Sequence, residues 1–304
     1  MAISTYTELQ SAVANWLARS DLTSRITEFI ALAESRIHYG SAHPVMPSRP
    51  LRIRTMETRA DLVIGEMQAG GTSGGSANAQ TLSTPAISSY TNGLTVEFVA
   101  GFTNTGATTL NINSVGADDV REGDGSSAFA LSSGRIVSGE TYRVYFDGSV
   151  FRLIDKGQVP LPSNYLQMRQ VFLEGDVRRA LDYRTPEQLN DTYTTSGKPY
   201  FFTVEGEYIR FDREVDDDYQ VKVFYYKKFT ALSGGSDTNW LLTNSPGVYL
   251  YGALIEAMPF TRNDKRMELW YQAFTAAING LVKADKTDRF SGSSLVATPS
   301  VVGP

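Results

Sequence analysis

Cysteine is absent from the 304 residues and histidine occurs only twice. The first absence excludes disulfides and thiolate chemistry and is compatible with synthesis in a reducing compartment. The two histidines, His38 and His43, lie in or beside a proline-rich loop, with no third ligand at metal spacing. No apolar run approaches the ~20 residues that span a bilayer. The opening MAISTYTELQ lacks a basic segment followed by an apolar core, so no signal peptide is expected. There is no glycine loop leading into Lys-Ser or Lys-Thr, and no Gly-x-Ser-x-Gly elbow. Asp216-Asp217-Asp218 lacks the alternation, glycine and distal Glu of a calcium loop and reads as a solvated turn. With 33 acidic residues competing, no carboxylate pair for glycoside cleavage stands out. The reading is therefore of a non-enzyme without cofactor or metal. A net charge of −5 argues against a surface that grips nucleic-acid phosphates, but not against a passage through which DNA slides.

Apolar periodicity is what the sequence does have. Asn239 to Phe260, NWLLTNSPGVYLYGALIEAMPF, carries one charge, Glu256, in an otherwise apolar helix pattern. Ser245 is a candidate cap and Pro246 suits the first helical position. A helix apolar on nearly all sides belongs at the centre of a bundle. At the N-terminus, Thr5 and Glu8 fit a capping box, and Leu9, Val13, Trp16 and Leu17 fall on one face. A second helix, capped by Asp21 or Thr23, aligns Ile26, Phe29, Ile30, Ala33 and Ile37. Gly40 to Pro50 reads as a loop, and Leu51 to Leu62 as either strand or helix. A last helix, Asp264 to Lys283, aligns Met267, Trp270, Tyr271, Phe274, Ile278 and Leu281.

Between these helices the composition turns to Thr, Ser, Asn, Gly and Val. Gly70 to Ser76 reads as a flexible linker. Beyond it, alternating runs such as Leu94-Val96-Phe98, Leu110-Ile112 and Tyr142-Val144-Phe146 predict a small β-domain of about six strands, with a hairpin at Asp147-Gly148. A second β-rich part starts at Val159-Pro-Leu-Pro162. Its expected pairings are Met168–Leu173 with Val177–Tyr183, and Tyr200–Val204 with Tyr208–Phe211, followed by a strand Tyr219–Tyr226. The expected fold class is α+β: a helical bundle with a β-rich part, plus an inserted all-β domain. The boundaries are 1–69 for the N-terminal helices and 70–157 for the inserted β-domain. Residues 158–285 hold the β-rich part and C-terminal helices, and 286–304 a flexible C-terminal tail.

With the insert set aside, the chain resembles the phage head–tail adaptor family. The motifs are TYTELQSAVANWLARSDL (Thr5 to Leu22), FIALAESRI (Phe29 to Ile37), LRIRTMETRA (Leu51 to Ala60) and VPLPSNYLQMRQVFL (Val159 to Leu173). They continue with GKPYFFTVEGEYIRF (Gly197 to Phe211), the central helix, and DKRMELWYQAF (Asp264 to Phe274). The loop Gly40–Pro50 is longer than the family pattern, and the β-module is an addition. The module is similar to those of phage tail and fibre proteins through NTGATTLNIN (Asn104 to Asn113) and YFDGSVFRL (Tyr145 to Leu153). The resemblance implies a structural virion protein at the head–tail junction, made in the host cytoplasm. Its implied partners are the portal protein, neighbouring subunits in a dodecameric ring and the next tail component. Genomic DNA would pass through the lumen without specific binding, and no membrane is involved. Within the tail, Phe290, Leu295 and Val296 are the expected anchors onto the portal or a neighbouring subunit. A tail-fibre or receptor-binding protein and a cell-wall hydrolase are the competing functions.

Overall fold

The structure, a computed structural model, describes residues 3–123, 128–154, 157–175, 178–192, 196–261 and 266–290. It divides into two compact units, Met1–Glu57 with Lys227–Pro304, and Thr58–Tyr226. In chain order, α1 (Tyr6–Leu17) and α2 (Ile26–Tyr39) are joined by a 3-10 turn, Ser20–Arg25. Another such turn, Arg54–Met56, leads to β1 (Glu57–Ile64). Next come β2 (Met67–Thr72), β3 (Gly74–Ser76), β4 (Ala79–Leu82), β5 (Thr95–Val99), β6 (Thr108–Ile112) and β7 (Ala117–Glu122). The chain continues through β8 (Phe129–Ala130), β9 (Thr141–Phe146), β10 (Phe151–Ile154), β11 (Gln158–Pro160), β12 (Tyr165–Leu173) and β13 (Arg179–Tyr183). After α3 (Pro186–Thr192) come β14 (Phe201–Glu205), β15 (Tyr208–Phe211) and β16 (Tyr219–Lys227). The chain closes with α4 (Trp240–Asn244), α5 (Pro246–Glu256), α6 (Met258–Thr261) and α7 (Met267–Phe290).

The first unit is built around α5, whose Val248, Tyr249, Leu250, Ala253, Leu254 and Ile255 are all buried. Gly252 is what lets its neighbours close in: a Cβ there would lie 3.0 Å from the Ala33 methyl and 3.3 Å from the Phe274 ring. Pro246 holds the first helical position as expected, whereas Ser245 caps with backbone geometry alone, its side chain making no cap hydrogen bond. The capping box of α1 is formed in both directions: Thr5 Oγ1 accepts from Glu8 N–H and Glu8 Oε2 accepts from Thr5 N–H. The α2 stripe from Ile26 to Ile37 is buried throughout. Neither Asp21 nor Thr23 caps that helix. Both belong to the 3-10 turn, and Asp21 instead pairs with Arg19 at 2.5 Å. Trp16 also departs from its expected core position, remaining 43% exposed with its ring edge on Tyr251.

Two polar contacts fix this unit. Arg36, buried on α2, bonds Glu256 of α5 through Nε and the Met46 carbonyl through Nη1. That second bond ties down the loop Gly40–Pro50, which a Ser41–Ser48 bridge closes. Under α5, Asn239 Nδ2 donates to the Tyr249 hydroxyl, and that hydroxyl donates to Glu34. Burial raises the Glu34 carboxyl above its ordinary range.

The second unit contains two sheets. A seven-stranded sheet has the order β1-β16-β12-β13-β14-β15-β11, and a nine-stranded sheet runs β2-β5-β9-β10-β7-β6-β4-β3 with β8 on β7. The expected antiparallel pairs β12–β13 and β14–β15 are present, while residue 177 of the expected second strand lies outside the described residues. The nine-stranded sheet curls back on itself. Gly70 on β2 is wedged between Val96 and Leu82 of β4, so that a Cβ would lie 2.8 and 2.9 Å from those side chains. Val96, Phe98, Leu110, Ile112, Val120, Val144 and Phe151 fill its interior.

Here the fold-class expectation fails. The chain is mostly β, strand content slightly exceeding helix, and is not a helical bundle with a β-rich part and an inserted all-β domain. The β-rich part is a full sheet that forms one compact unit with the other strands. The physical reason lies in Tyr145. It stands on β9 of the nine-stranded sheet yet is buried in the core of the seven-stranded one, with Val159, Leu161, Val171 and Ile209. The run Gly70–Ser76 is no free linker either, because it supplies half of β2 and all of β3. Glycine there serves close packing rather than flexibility.

Candidate functional site

The seven-stranded sheet ends on β1 at one side and β11 at the other, and these two open edges approach each other. Ala60 and Leu62 of β1 face Pro160, Leu161 and Pro162 across a cavity of about 400 Å³. Farther along, Ile64 approaches Gln158 and Val159 around a cavity of about 20 Å³. As β1 advances, its neighbours on β11 run backwards, so the facing edges are antiparallel. No ladder joins them among the described residues. The nine-stranded sheet closes the floor of the larger cavity with Tyr145, Asp147 and Arg152.

Arg152 arrives there through strand alternation. Phe151 and Leu153 point into the nine-stranded core, leaving Arg152 on the opposite face beside Tyr145, its cross-strand partner. Only 4% of Arg152 is exposed. Asp147 opens the hairpin turn, and its Oδ1 accepts from Ser149 and Val150 N–H, both at 2.9 Å. Its Oδ2 accepts from Arg152 Nε at 2.7 Å. Arg152 Nη1, also buried, has no hydrogen-bond partner among the described residues. The Tyr145 hydroxyl donates to Asn92 Oδ1 at 3.2 Å, and burial, assisted by the Asp147 charge, raises its pKa well above the usual phenol range. Tyr145 is thus a fixed donor at neutral pH.

Arginines also stack on rings across the seven-stranded sheet. Phe172 and Phe224 meet edge to face at 5.6 Å, and Arg178 lies over both, at 4.4 and 5.5 Å. Arg179 and Arg213 cover Tyr200 at 3.8 and 4.8 Å, and Arg184 covers Phe201 at 4.5 Å. Glu174 links Arg178 to Lys222 at 2.9 and 3.1 Å. Such stacking contributes about 0.5–2 kcal/mol per contact and immobilises the guanidinium planes.

Leu295 and Val296 lie outside the described residues, and Phe290 ends α7 with its side chain outside them too. His38 and His43 serve the fold: His38 Nε2 accepts from Phe229 N–H at 3.1 Å, and His43 Nδ1 accepts from Val45 and Met46 N–H, both at 3.2 Å. The aspartate triplet holds a turn, with Asp218 accepting from Glu66 N–H and Asp216 from the Tyr219 hydroxyl. Among the described residues, no group of His, Asp and Glu is arranged to hold a metal ion. Sequence reasoning missed Arg152. Its signal was an arginine flanked by Phe151 and Leu153 just after an Asp-Gly turn, where alternation turns the charge toward the other sheet.

The SU10 adaptor protein family matches residues 135–298, more than half of the 304-residue chain. The chain therefore belongs to the SU10 adaptor protein family, a family of bacteriophage structural adaptors and hence of virion components. The match begins before β9 and continues through the seven-stranded sheet, except β1, and through the whole of α7. No curated protein matches the chain.

Proposed function

We propose that this protein is a head–tail adaptor that assembles as a dodecameric ring beneath the phage portal. It extends the DNA channel and presents a surface to the next tail component, while DNA passes through the lumen without specific binding. The family match over residues 135–298 carries this reading. Exposed apolar side chains on the helical unit favour it as well: Trp16 is 43% and Leu269 62% exposed, with Leu32, Tyr39 and Val45 also open. Such residues suit the head-to-tail contacts from which a closed ring is made. The chain from the end of α7 onward supplies the portal contact through Phe290, Leu295 and Val296.

The test is light scattering on the chain alone and mixed with portal. The isolated protein is expected near its 33.4 kDa monomer mass, or as a small oligomer. A large joint complex forms when the portal presents neighbouring sites at high effective concentration. A stable ring without portal, or no co-migration with it, refutes the reading. Truncation belongs after Phe290, because Arg289 still pairs with Asp285 and Glu57. The shortened chain should keep its melting temperature and bind portal about tenfold more weakly. Unchanged binding refutes the assignment of Leu295 and Val296 as anchors.

A further inference from the structure

The seam between β1 and β11 holds a buried charge without its full set of partners. Arg152 is 4% exposed and lines a cavity of about 400 Å³, and its Nη1 has no partner among the described residues. A guanidinium carries five donors in a fixed plane, and an unmet donor at this depth is costly. Asp147 is bonded elsewhere and makes no bond to Nη1. Its Oδ1 holds two backbone N–H groups, and its Oδ2 already takes Arg152 Nε. No oxygen of the described residues meets this donor, which leaves it to one brought from outside.

We propose that the cavity receives a carboxylate carried on an apolar peptide segment of a partner protein, with the carboxylate accepting from Arg152 Nη1. Three observations select that chemistry. A carboxylate forms the strong, charge-assisted bond that a planar guanidinium favours. The walls above it are apolar, Leu62 on one edge and Leu161 between two prolines on the other, so a bare anion leaves them uncovered. The volume fits one or two side chains rather than a folded body. The walls are sheet edges, where extended peptides commonly dock. Pro160 and Pro162 lack N–H donors, however, so a ladder cannot run the length of β11 and the seated side chain sets the register. This inference does not depend on the ring or the portal, because the site lies within a single chain.

The probe is N-acetyl-leucine, a carboxylate on an apolar body. N-acetyl-leucinamide serves as the neutral counterpart and inorganic phosphate as the bare anion. Calorimetry on the full chain should show saturable millimolar binding of N-acetyl-leucine, with the amide and phosphate each about tenfold weaker. Arg152→Met should abolish the binding. Because loss of a buried arginine can impair folding, Ser149→Trp is the second variant. Ser149 is exposed on the cavity rim, so the indole plugs the entrance without entering a core. That variant should retain the melting temperature and lose binding about tenfold. Absence of saturable binding up to about 50 mM, or equal affinity for the amide, overturns the proposal, as does undiminished binding to Ser149→Trp. Phosphate binding as tight as N-acetyl-leucine overturns the peptide assignment in favour of a simple anion site.

Discussion

Acidification should loosen the helical unit through one residue, His38. Only 8% of it is exposed, and Nε2 accepts the Phe229 N–H at 3.1 Å, so the ring must be neutral in the fold. Burial, reinforced by the Lys228 and Arg52 charges, lowers its pKa from 6.5 to about 4. The folded pKa lies below the unfolded one, so the unfolded chain takes up a proton first as pH falls. The stabilisation is complete above pH 6.5 and is lost progressively between 6.5 and about 4. At 1.4 kcal/mol per tenfold, that interval corresponds to about 3 kcal/mol. Glu34 works in the opposite sense, its raised pKa favouring the fold as pH falls through its own range. A control that leaves Glu34 in place is therefore needed.

His38→Gln supplies it, since an amide oxygen can accept from Phe229 and takes up no proton near neutrality. Urea unfolding followed by tryptophan fluorescence reads the correct unit, because Trp16, Trp240 and Trp270 all belong to it and Trp240 stacks on Phe229. Between pH 7.5 and 4 the wild type should lose about 3 kcal/mol more than His38→Gln. Parallel pH profiles for the two proteins would refute the reasoning.

Glu256→Ala leaves Arg36 buried with the Met46 carbonyl as its remaining hydrogen-bond acceptor among the described residues, and should destabilise the helical unit by about 3–5 kcal/mol. Glu256→Gln keeps a hydrogen-bond acceptor and should cost visibly less; equal urea midpoints for wild type and the alanine variant would contradict this. Tyr145→Ala removes a side chain that one sheet contributes to the core of the other, at about 3–5 kcal/mol. Far-UV circular dichroism should show both sheets weakened in one transition, and a seven-stranded sheet that melts unchanged would disprove the shared core.

The elements with strictly local causes were legible in the chain itself. The capping box at Thr5, the buried stripe of α2, the apolar α5 behind Pro246 and the β14–β15 hairpin at Gly206 depend on neighbours within a few residues. Periodicity records such neighbours directly. It also marked the core end of α7, where Trp270 and Phe274 are buried, but not the helix's extension to Phe290. There, Asp285 accepts from Arg54 N–H and Arg289 reaches Glu57, contacts more than 200 residues distant in sequence.

What only tertiary structure decided is which faces meet. Alternation showed that Tyr145 and Phe146 point to opposite sides of β9, but not that Tyr145 enters a different sheet's core. The same blindness turned the Gly70–Ser76 run into a linker, since the Val96 and Leu82 side chains that require glycine come from other strands. Trp16 fits a helical stripe and still faces outward, because α1 offers more apolar residues than its own unit covers. Pairings such as β10 with β7 and β13 with β14 are parallel, so no hairpin turn announces them. The open seam at Arg152 follows from those pairings. A sheet's two edges are set by the sum of its long-range registers, and no short stretch of sequence contains that sum.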